Sequence, residues 1–127
     1  MTTAIPFTNN PAASSDYIEI IIDCEKVFKS WRSSLYSFEW VNDKGRIKAL
    51  DELNENEAQK RTAIEDALKK QTPIEKPVLG FGMLDAIEIG SGRAAFLTLY
   101  DRGLKSMPVH IKKSAEKDFK DFLSKPA

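Results

Sequence analysis

The stretch AIEIGSGRAAFLTLYDRG, residues 86 to 103, comes nearest to a recognisable chemical pattern. Gly90, Ser91 and Gly92 are small, and Arg93 follows them where a strand is predicted to meet a helix. Small residues let the backbone approach a phosphate closely, and N–H groups at a helix start point towards it. The pattern therefore predicts a phosphate- or nucleotide-binding loop. It also fits a simpler structure, in which Ser91 caps the helix and the glycines permit a tight turn.

Two carboxylates precede this loop, and they are the candidate catalytic residues. Asp85 and Glu88 have the side-chain type that holds a divalent metal or acts as a general base. The alternative is that Asp85 shapes a turn and Glu88 is a polar position on an alternating strand. No metal site is predicted. The single histidine, His110, has no evident zinc-binding partners, so it is interpreted as a strand residue or a hydrogen-bonded, partly buried imidazole.

Lysines follow the loop and its helix in the sequence. Together with Arg93 they predict a local basic rim that contacts phosphate, formed by Lys105, Lys112 and Lys113. The alternative is that these lysines are exposed charges that protect a strand edge or aid solubility. The sequence leaves both interpretations open.

The first half of the chain contains the less regular patterns. The segment DYIEIIID favours a strand because it alternates and is rich in β-branched residues, although it also fits the start of a longer helix. A helix is predicted at roughly 24–36. The segments YSFEWV, NDKG and RIKAL predict a hairpin in which Tyr36, Phe38 and Trp40 share one face.

The second half is more regular. Asn54 is the predicted N-cap of a helix that continues to Lys69 and Lys70, and an extended segment follows it. A strand over AIEIG then leads to a helix that Gly103 ends, and KSMPVHI predicts another strand. The last predicted helix is capped by Ser114 and buries two aromatic residues, Phe119 and Phe122.

Composition excludes several classes of protein. The chain has 127 residues, and 42% of them are hydrophobic and 30% charged, as in globular proteins. Its 19 basic and 19 acidic residues give zero formal net charge, so it lacks the basic whole-protein character of a nucleic-acid binder. The one cysteine, Cys24, and the absence of a signal or membrane segment predict a cytoplasmic protein. Cys24, Trp31 and Trp40 are interpreted as core residues.

The order of these elements resembles the ParB/sulfiredoxin-like domain over residues 50–111. The segment AIEDALKKQTPIEKPVLGF is similar to that family's helix and first strand, and AIEIGSGRAAFLTLYDRGLKSMPVHI is similar to its central signature. The resemblance implies an α+β fold, with a small mixed sheet packed against helices. It also implies a nucleoside triphosphate with Mg²⁺ at the loop. Members of the family include DNA-partition clamps, sulfiredoxins, small-molecule kinases and nucleases.

The chain departs from this family in the loop itself. The two positions that are usually rich in Arg and His hold Ala94 and Ala95, which removes much of the charge that would compensate a triphosphate. Sulfiredoxin chemistry would also place a cysteine in this loop, whereas Cys24 lies far upstream. The prediction is therefore a degenerate phosphate-binding loop.

These observations predict a non-catalytic binding or regulatory module. It would act through a protein partner, a self-dimer or nucleic acid, without a membrane. The first alternative is a nucleotide-binding switch or nucleotide-dependent enzyme, and the second is a metal-dependent nuclease. The predicted organisation is a flexible tail over residues 1–15 and one domain over residues 16–127.

Overall fold

The structure is a computed structural model, and it describes residues 5–34, 37–82 and 85–124. Six strands and three α-helices are found in these residues, with 3₁₀ turns at Ser37–Glu39 and Leu50–Glu52 and a 3₁₀ helix at Lys113–Phe122. The strands are β1 (Phe7–Thr8), β2 (Tyr17–Asp23), β3 (Ile74–Glu75), β4 (Val78–Phe81), β5 (Ile87–Ser91) and β6 (Ser106–Lys112). The helices are α1 (Cys24–Trp31), α2 (Glu55–Lys70) and α3 (Arg93–Asp101).

The strands form a four-stranded mixed sheet and a separate two-stranded pair. The order in the larger sheet is β2-β6-β4-β5, with β6 antiparallel to β2 and parallel to β4, and β5 antiparallel to β4. The smaller sheet pairs β1 with β3 in parallel. The α+β prediction, a small mixed sheet packed with helices, is confirmed.

The core lies where α1, α3 and the sheet meet. It contains Val27 and Trp31 of α1, Phe96 of α3, and alternate residues of β6 such as Val109 and Ile111. Each large apolar side chain that is removed from water contributes about 1.5–3 kcal/mol to folding. The alternation along β2 and β6 matches a sheet with one face in this core, which is why β2 is a strand and not the start of a longer helix.

Helix α1 is shorter than the predicted helix at 24–36. It begins at Cys24, capped by the side chain of Asp23, and ends at Trp31. The hydroxyl of Ser37 donates to the carbonyl of Arg32 at 2.8 Å. Carbonyl groups at the end of a helix have no donor within the helix, and this bond supplies one. Leu35 and Tyr36, which the prediction included, lie outside the described residues.

The predicted hairpin is wrong in its strands but correct in its turn. The carboxamide oxygen of Asn42 accepts hydrogen bonds from the backbone of Lys44 and Arg46, and a single bridge joins Val41 to Ile47. Ser37–Glu39 is a 3₁₀ turn and not a strand. As a result, Trp40 is fully buried whereas Phe38 is 64% exposed, although a strand would have placed the two on one face.

The final helix has 3₁₀ geometry, and Ser114 does not cap it. The helix begins after Lys112, which has an extended backbone and makes no side-chain cap. In a 3₁₀ helix, residues three apart lie in line. Phe119 and Phe122 therefore face the same neighbour, Phe81, with ring centroids at 4.8 and 6.0 Å.

The segment predicted as a flexible tail has ordered contacts from residue 5 onwards. Its strand β1 pairs with β3, and Asn10 is buried against the larger sheet. The sequence analysis missed this because a two-residue strand has no periodicity to detect. Of the proline and asparagine residues that are typical of a tail, Asn10 is buried, whereas Asn9 and Pro11 are exposed.

Candidate functional site

A cleft of about 610 Å³ lies between α2, β3 and the segment that joins β5 to α3. We call it the loop cleft. It contains all four residues predicted for the phosphate loop, and apolar side chains of α2, β3 and α3 form much of its wall. It is lined by Glu57, Lys60, Ala63, Ile64, Ala67, Pro73, Ile74, Glu75, Ile89, Gly90, Ser91, Gly92, Arg93, Ala94 and Ala95.

Gly92 makes the turn from β5 into α3. Its backbone is left-handed, with φ +82° and ψ +24°, and a Cβ atom there would lie 2.9 Å from the Cα of Pro77. Both conditions disfavour any residue with a Cβ atom at this position. The first helical hydrogen bond runs from the N–H of Phe96 to the carbonyl of Gly92, so the N–H groups of the three preceding residues have no acceptor within the helix.

Ser91 is not the helix cap that the sequence predicted. It is the last residue of β5, where it pairs with Val78, and Gly92 takes the cap position without a side-chain hydrogen bond. The hydroxyl of Ser91 accepts a hydrogen bond from the carboxamide nitrogen of Asn10 at 3.0 Å. The Ser91 hydroxyl, which was predicted to cap α3, is therefore hydrogen-bonded to the N-terminal segment instead.

Arg93 is held by two carboxylates. One guanidinium nitrogen, Nη1, donates to Glu39 at 3.0 Å, and the other, Nη2, donates to Glu57 at 2.6 Å. The same oxygen of Glu57 accepts from the indole N–H of Trp40 at 2.8 Å, and its second oxygen lies 3.1 Å from the ammonium of Lys60. We call these five residues the Arg93 cluster. Its two cations and two carboxylates balance, so the charge of Arg93 is already compensated inside the protein.

The ionised form of Glu57 is stabilised by its neighbours. Burial by itself raises the pKa of Glu57, but hydrogen bonds from Trp40, Arg93 and Lys60, together with the positive charge of Arg93, hold this pKa below its ordinary value. The carboxylate side chain is only 5% exposed. Glu57 is therefore ionised at neutral pH.

The sequence analysis missed Glu57 and Glu39. Glu57 is in the first turn of α2, where an acidic residue is expected for its effect on the helix terminus alone. Asn54 caps that helix as predicted and accepts from the N–H of Glu57 at 3.0 Å. No local pattern links this carboxylate to Arg93, because their contact depends on how α2 packs against α3.

The candidate catalytic carboxylates lie away from the loop cleft. Asp85 is exposed in the turn before β5, with φ +54°, and the strand separates it from Gly90 by about 16 Å. Glu88 packs over Gly82, where an added Cβ would lie 2.4 Å from the Cγ of Glu88. Among residues 5–34, 37–82 and 85–124, no group of three or more His, Cys, Asp or Glu side chains is arranged to hold a metal ion.

The predicted basic rim is not one surface. Lys105 precedes β6, whereas Lys112 is its last residue and Lys113 follows it, so the length of the strand separates Lys105 from the other two by about 20 Å. All three side chains are exposed. Lys112 and Lys113 lie near Asp16. A hydrogen bond from Ser14 is the main cause that lowers the pKa of the Asp16 carboxyl group, and the positive charges of the two lysines lower it further.

His110 is a buried, hydrogen-bonded strand residue, as one of its two sequence interpretations expected. Its Nε2 accepts the backbone N–H of Asn10 at 3.2 Å. Burial lowers the pKa of His110, the ammonium of Lys76 lowers it further, and Glu19 opposes them. The imidazole is therefore neutral at neutral pH.

Cys24 is fully buried at the start of α1. Burial, followed by the charge of Asp23, raises the pKa of its thiol to about 12, so the reactive thiolate is absent at neutral pH. Trp31 and Trp40 are buried, as predicted for core residues. They do not form an exposed partner surface.

Comparisons with known proteins place the fold. No protein-family profile matches the chain, and no curated protein matches its sequence. A solved structure, described as "Oncogenic Suppression Activity Protein - A Plasmid Fertility Inhibition Factor" in a gold(I) cyanide derivative, is similar with a TM-score of 0.64. The two chains are 12% identical, and the match covers 97% of this chain and 69% of that chain. At this identity the similarity shows a shared fold.

No helix in the described part of the chain is long and apolar enough to cross a lipid bilayer.

Proposed function

We propose that this chain is a non-catalytic regulatory module on a ParB/sulfiredoxin-like scaffold, acting by binding a protein or nucleic-acid partner. One observation carries the proposal: Arg93 is bound to Glu39 and Glu57. Phosphoryl transfer and phosphodiester cleavage need uncompensated positive charge or metal ions where negative charge develops. The cation nearest the loop is already neutralised, and the two following positions are Ala94 and Ala95.

The structural neighbour supports the regulatory part of this proposal. It is described as a plasmid fertility inhibition factor, and it shares the fold of almost the whole chain. We propose that this chain has a role of the same kind, in which a bound partner is prevented from supporting plasmid transfer. A small module without its own chemistry suits such a role, because occupying a partner surface requires only a stable fold.

The test is the transfer frequency of conjugative plasmids from bacterial donors that express the chain, compared with donors carrying an empty vector. We expect the chain to lower the transfer of at least one plasmid in a panel. We also expect the variant Arg93→Gln, shown by circular dichroism to be folded, to retain the effect. Unchanged transfer for every plasmid would contradict the regulatory proposal, and loss of the effect in folded Arg93→Gln would favour an enzyme.

The loop cleft favours a second candidate, a nucleotide-binding switch. Arg93, Ala94 and Ala95, whose N–H groups have no acceptor within the helix, line the cleft together with apolar residues suited to a base. A ligand that binds only the folded state raises the unfolding temperature. A rise with millimolar nucleoside triphosphate and Mg²⁺ that is lost in Arg93→Ala would support this candidate, and no rise would exclude it.

A further inference from the structure

The N-terminal residues 5–15 contact both sheets, and the buried side chain of Asn10 anchors them. Asn10 donates through its carboxamide nitrogen to the carbonyl of Lys76 at 2.9 Å and to the hydroxyl of Ser91 at 3.0 Å. Its backbone N–H donates to Nε2 of His110 at 3.2 Å. These contacts join three positions that are far apart in the sequence, so the segment is held at a defined place.

A second attachment lies beside this anchor. The N–H of Ile74 donates to the carbonyl of Pro6 at 2.8 Å, and the N–H of Lys76 donates to that of Thr8 at 2.9 Å. The ammonium of Lys76 also donates to the carboxamide oxygen of Asn9 at 2.9 Å. Because β1 has only two residues, these few bonds depend on the neighbouring anchor to persist.

We propose that residues 5–15 form a strap that is released when His110 is protonated. A backbone N–H can only donate a hydrogen bond, so Nε2 of His110 must be an unprotonated acceptor for the contact with Asn10 to exist. A proton on Nε2 places two donors against each other in a buried position. The contact then breaks, and the anchor loses this bond to β6.

The charges around His110 act on the same equilibrium. Glu19 on β2 is its cross-strand partner and favours the proton, but it is already paired with the ammonium of Lys76. The ammonium of Lys76 disfavours the proton. Lys112 lies two residues further along β6 and adds no negative charge, and Val78 on β4 is apolar. A protonated imidazole is thus poorly compensated, so its cost is relieved by opening the strap to water.

Release of the strap changes the loop cleft. Ile74 and Glu75 of β3 line the cleft and are braced by β1, and the hydroxyl of Ser91 loses its donor when Asn10 leaves. The strap therefore links the protonation of His110 to the mobility of one cleft wall. This inference does not depend on what the cleft binds.

Hydrogen exchange of the full chain tests the proposal. The amides of Ile74 and Lys76, which donate to the strap, are measured at pH 7.5 and pH 5.0 and expressed as protection factors. Their protection should fall at pH 5.0, by at most about 30-fold, because an imidazole whose ordinary pKa is 6.5 can favour the released strap by no more than that factor at this pH. The amides of Ile20 and Val109, which pair β2 with β6, should keep theirs. Equal protection of Ile74 and Lys76 at both pH values would overturn the proposal.

A matched variant separates the proton from general acid sensitivity. His110→Gln retains an acceptor but does not titrate, so its strap amides should be equally protected at both pH values. The same fall in this variant as in the wild type would refute a role for His110. If the variant does not fold, an NMR titration of the wild-type imidazole serves instead. Strap release must then follow the titration of His110, and release at a different pH would refute the proposal.

Discussion

Two polar clusters flank the turn from β5 into α3, and they differ in whether their contacts are ionic or neutral. The Arg93 cluster is ionic and joins the start of α3 to α2. The cluster around Asn10 is neutral and joins Ser91 and His110 to the N-terminal segment. Both use a polar side chain of the candidate phosphate loop for an internal contact. Ser91 and Arg93 of this loop therefore make contacts within the protein, one to the N-terminal segment and the other to α2.

The two clusters differ in how they fail. Loss of one partner from the Arg93 cluster leaves a charge of opposite sign uncompensated in a largely buried place, which is costly. Loss of a partner from the neutral cluster leaves a hydrogen bond unmade, which costs less. We therefore expect the loss of a partner to cost more in the ionic cluster than in the neutral cluster.

The largest effect is expected for Glu57→Ala. This change leaves the indole N–H of Trp40 without its acceptor and Arg93 with only Glu39. Because Arg93 is 24% exposed, water compensates part of the loss, and we expect the free energy of unfolding in urea to fall by about 2–4 kcal/mol.

The matched control for that variant is Glu55→Ala, an exposed residue of the same helix. It should cost less than about 1 kcal/mol, which is the range of a charge at a helix terminus. Equal losses for the two variants would show that the Arg93 cluster contributes no specific stability.

Gly92→Ala tests the turn between the two clusters. The left-handed backbone alone costs about 1–2 kcal/mol for a residue with a Cβ, and the contact with Pro77 adds to it. Gly80→Ala is the control, since a Cβ there meets nothing within 4 Å. Thermal unfolding should distinguish the two, and a Gly92→Ala protein as stable as the wild type would show that the turn is not constrained as described.

Asn10→Ala, a change in the neutral cluster, should lower the stability by a smaller amount. It removes the side-chain donors to Lys76 and Ser91, and we expect a loss of about 1–2 kcal/mol in urea unfolding. Asn9→Ala, which removes one exposed hydrogen bond to Lys76, should cost less than half as much. If both changes are neutral, residues 5–15 do not contribute to the stability of the domain.

The smallest expected effect is a gradual change of the free energy of unfolding with pH. The folded state lowers the pKa of His110 below 6.5, so the unfolded chain binds the proton more readily and stability decreases as the pH falls below that value. The pKa of Glu57 is lowered from 4.5, so its contribution is present above that value and is lost as the pH falls through its folded pKa. Urea unfolding from pH 8 to 3 should show two losses, and His110→Gln should remove only the first.

The sequence predicted those parts of the molecule that depend on local rules. The cap at Asn54, the left-handed stop at Gly103, the strand over β6 and the α+β class all follow from short patterns. The ParB/sulfiredoxin-like assignment stays a prediction. The contacts that define the loop cleft were missed, because Glu57 and Asn10 reach it from elements distant in the sequence. Tertiary contacts between residues so far apart leave no periodic pattern in the sequence from which they could be predicted.

The most direct test of the central claim is an NMR titration of the ¹⁵N-labelled chain with nucleoside triphosphate and Mg²⁺. The signals to follow are the amides of residues 90–95 and the side-chain Nε of Arg93. If internal carboxylates already compensate Arg93, these signals should not shift in a saturable way up to millimolar nucleotide. A saturable shift of the loop amides and of Arg93, absent in Arg93→Ala, would contradict the account and identify a working nucleotide site.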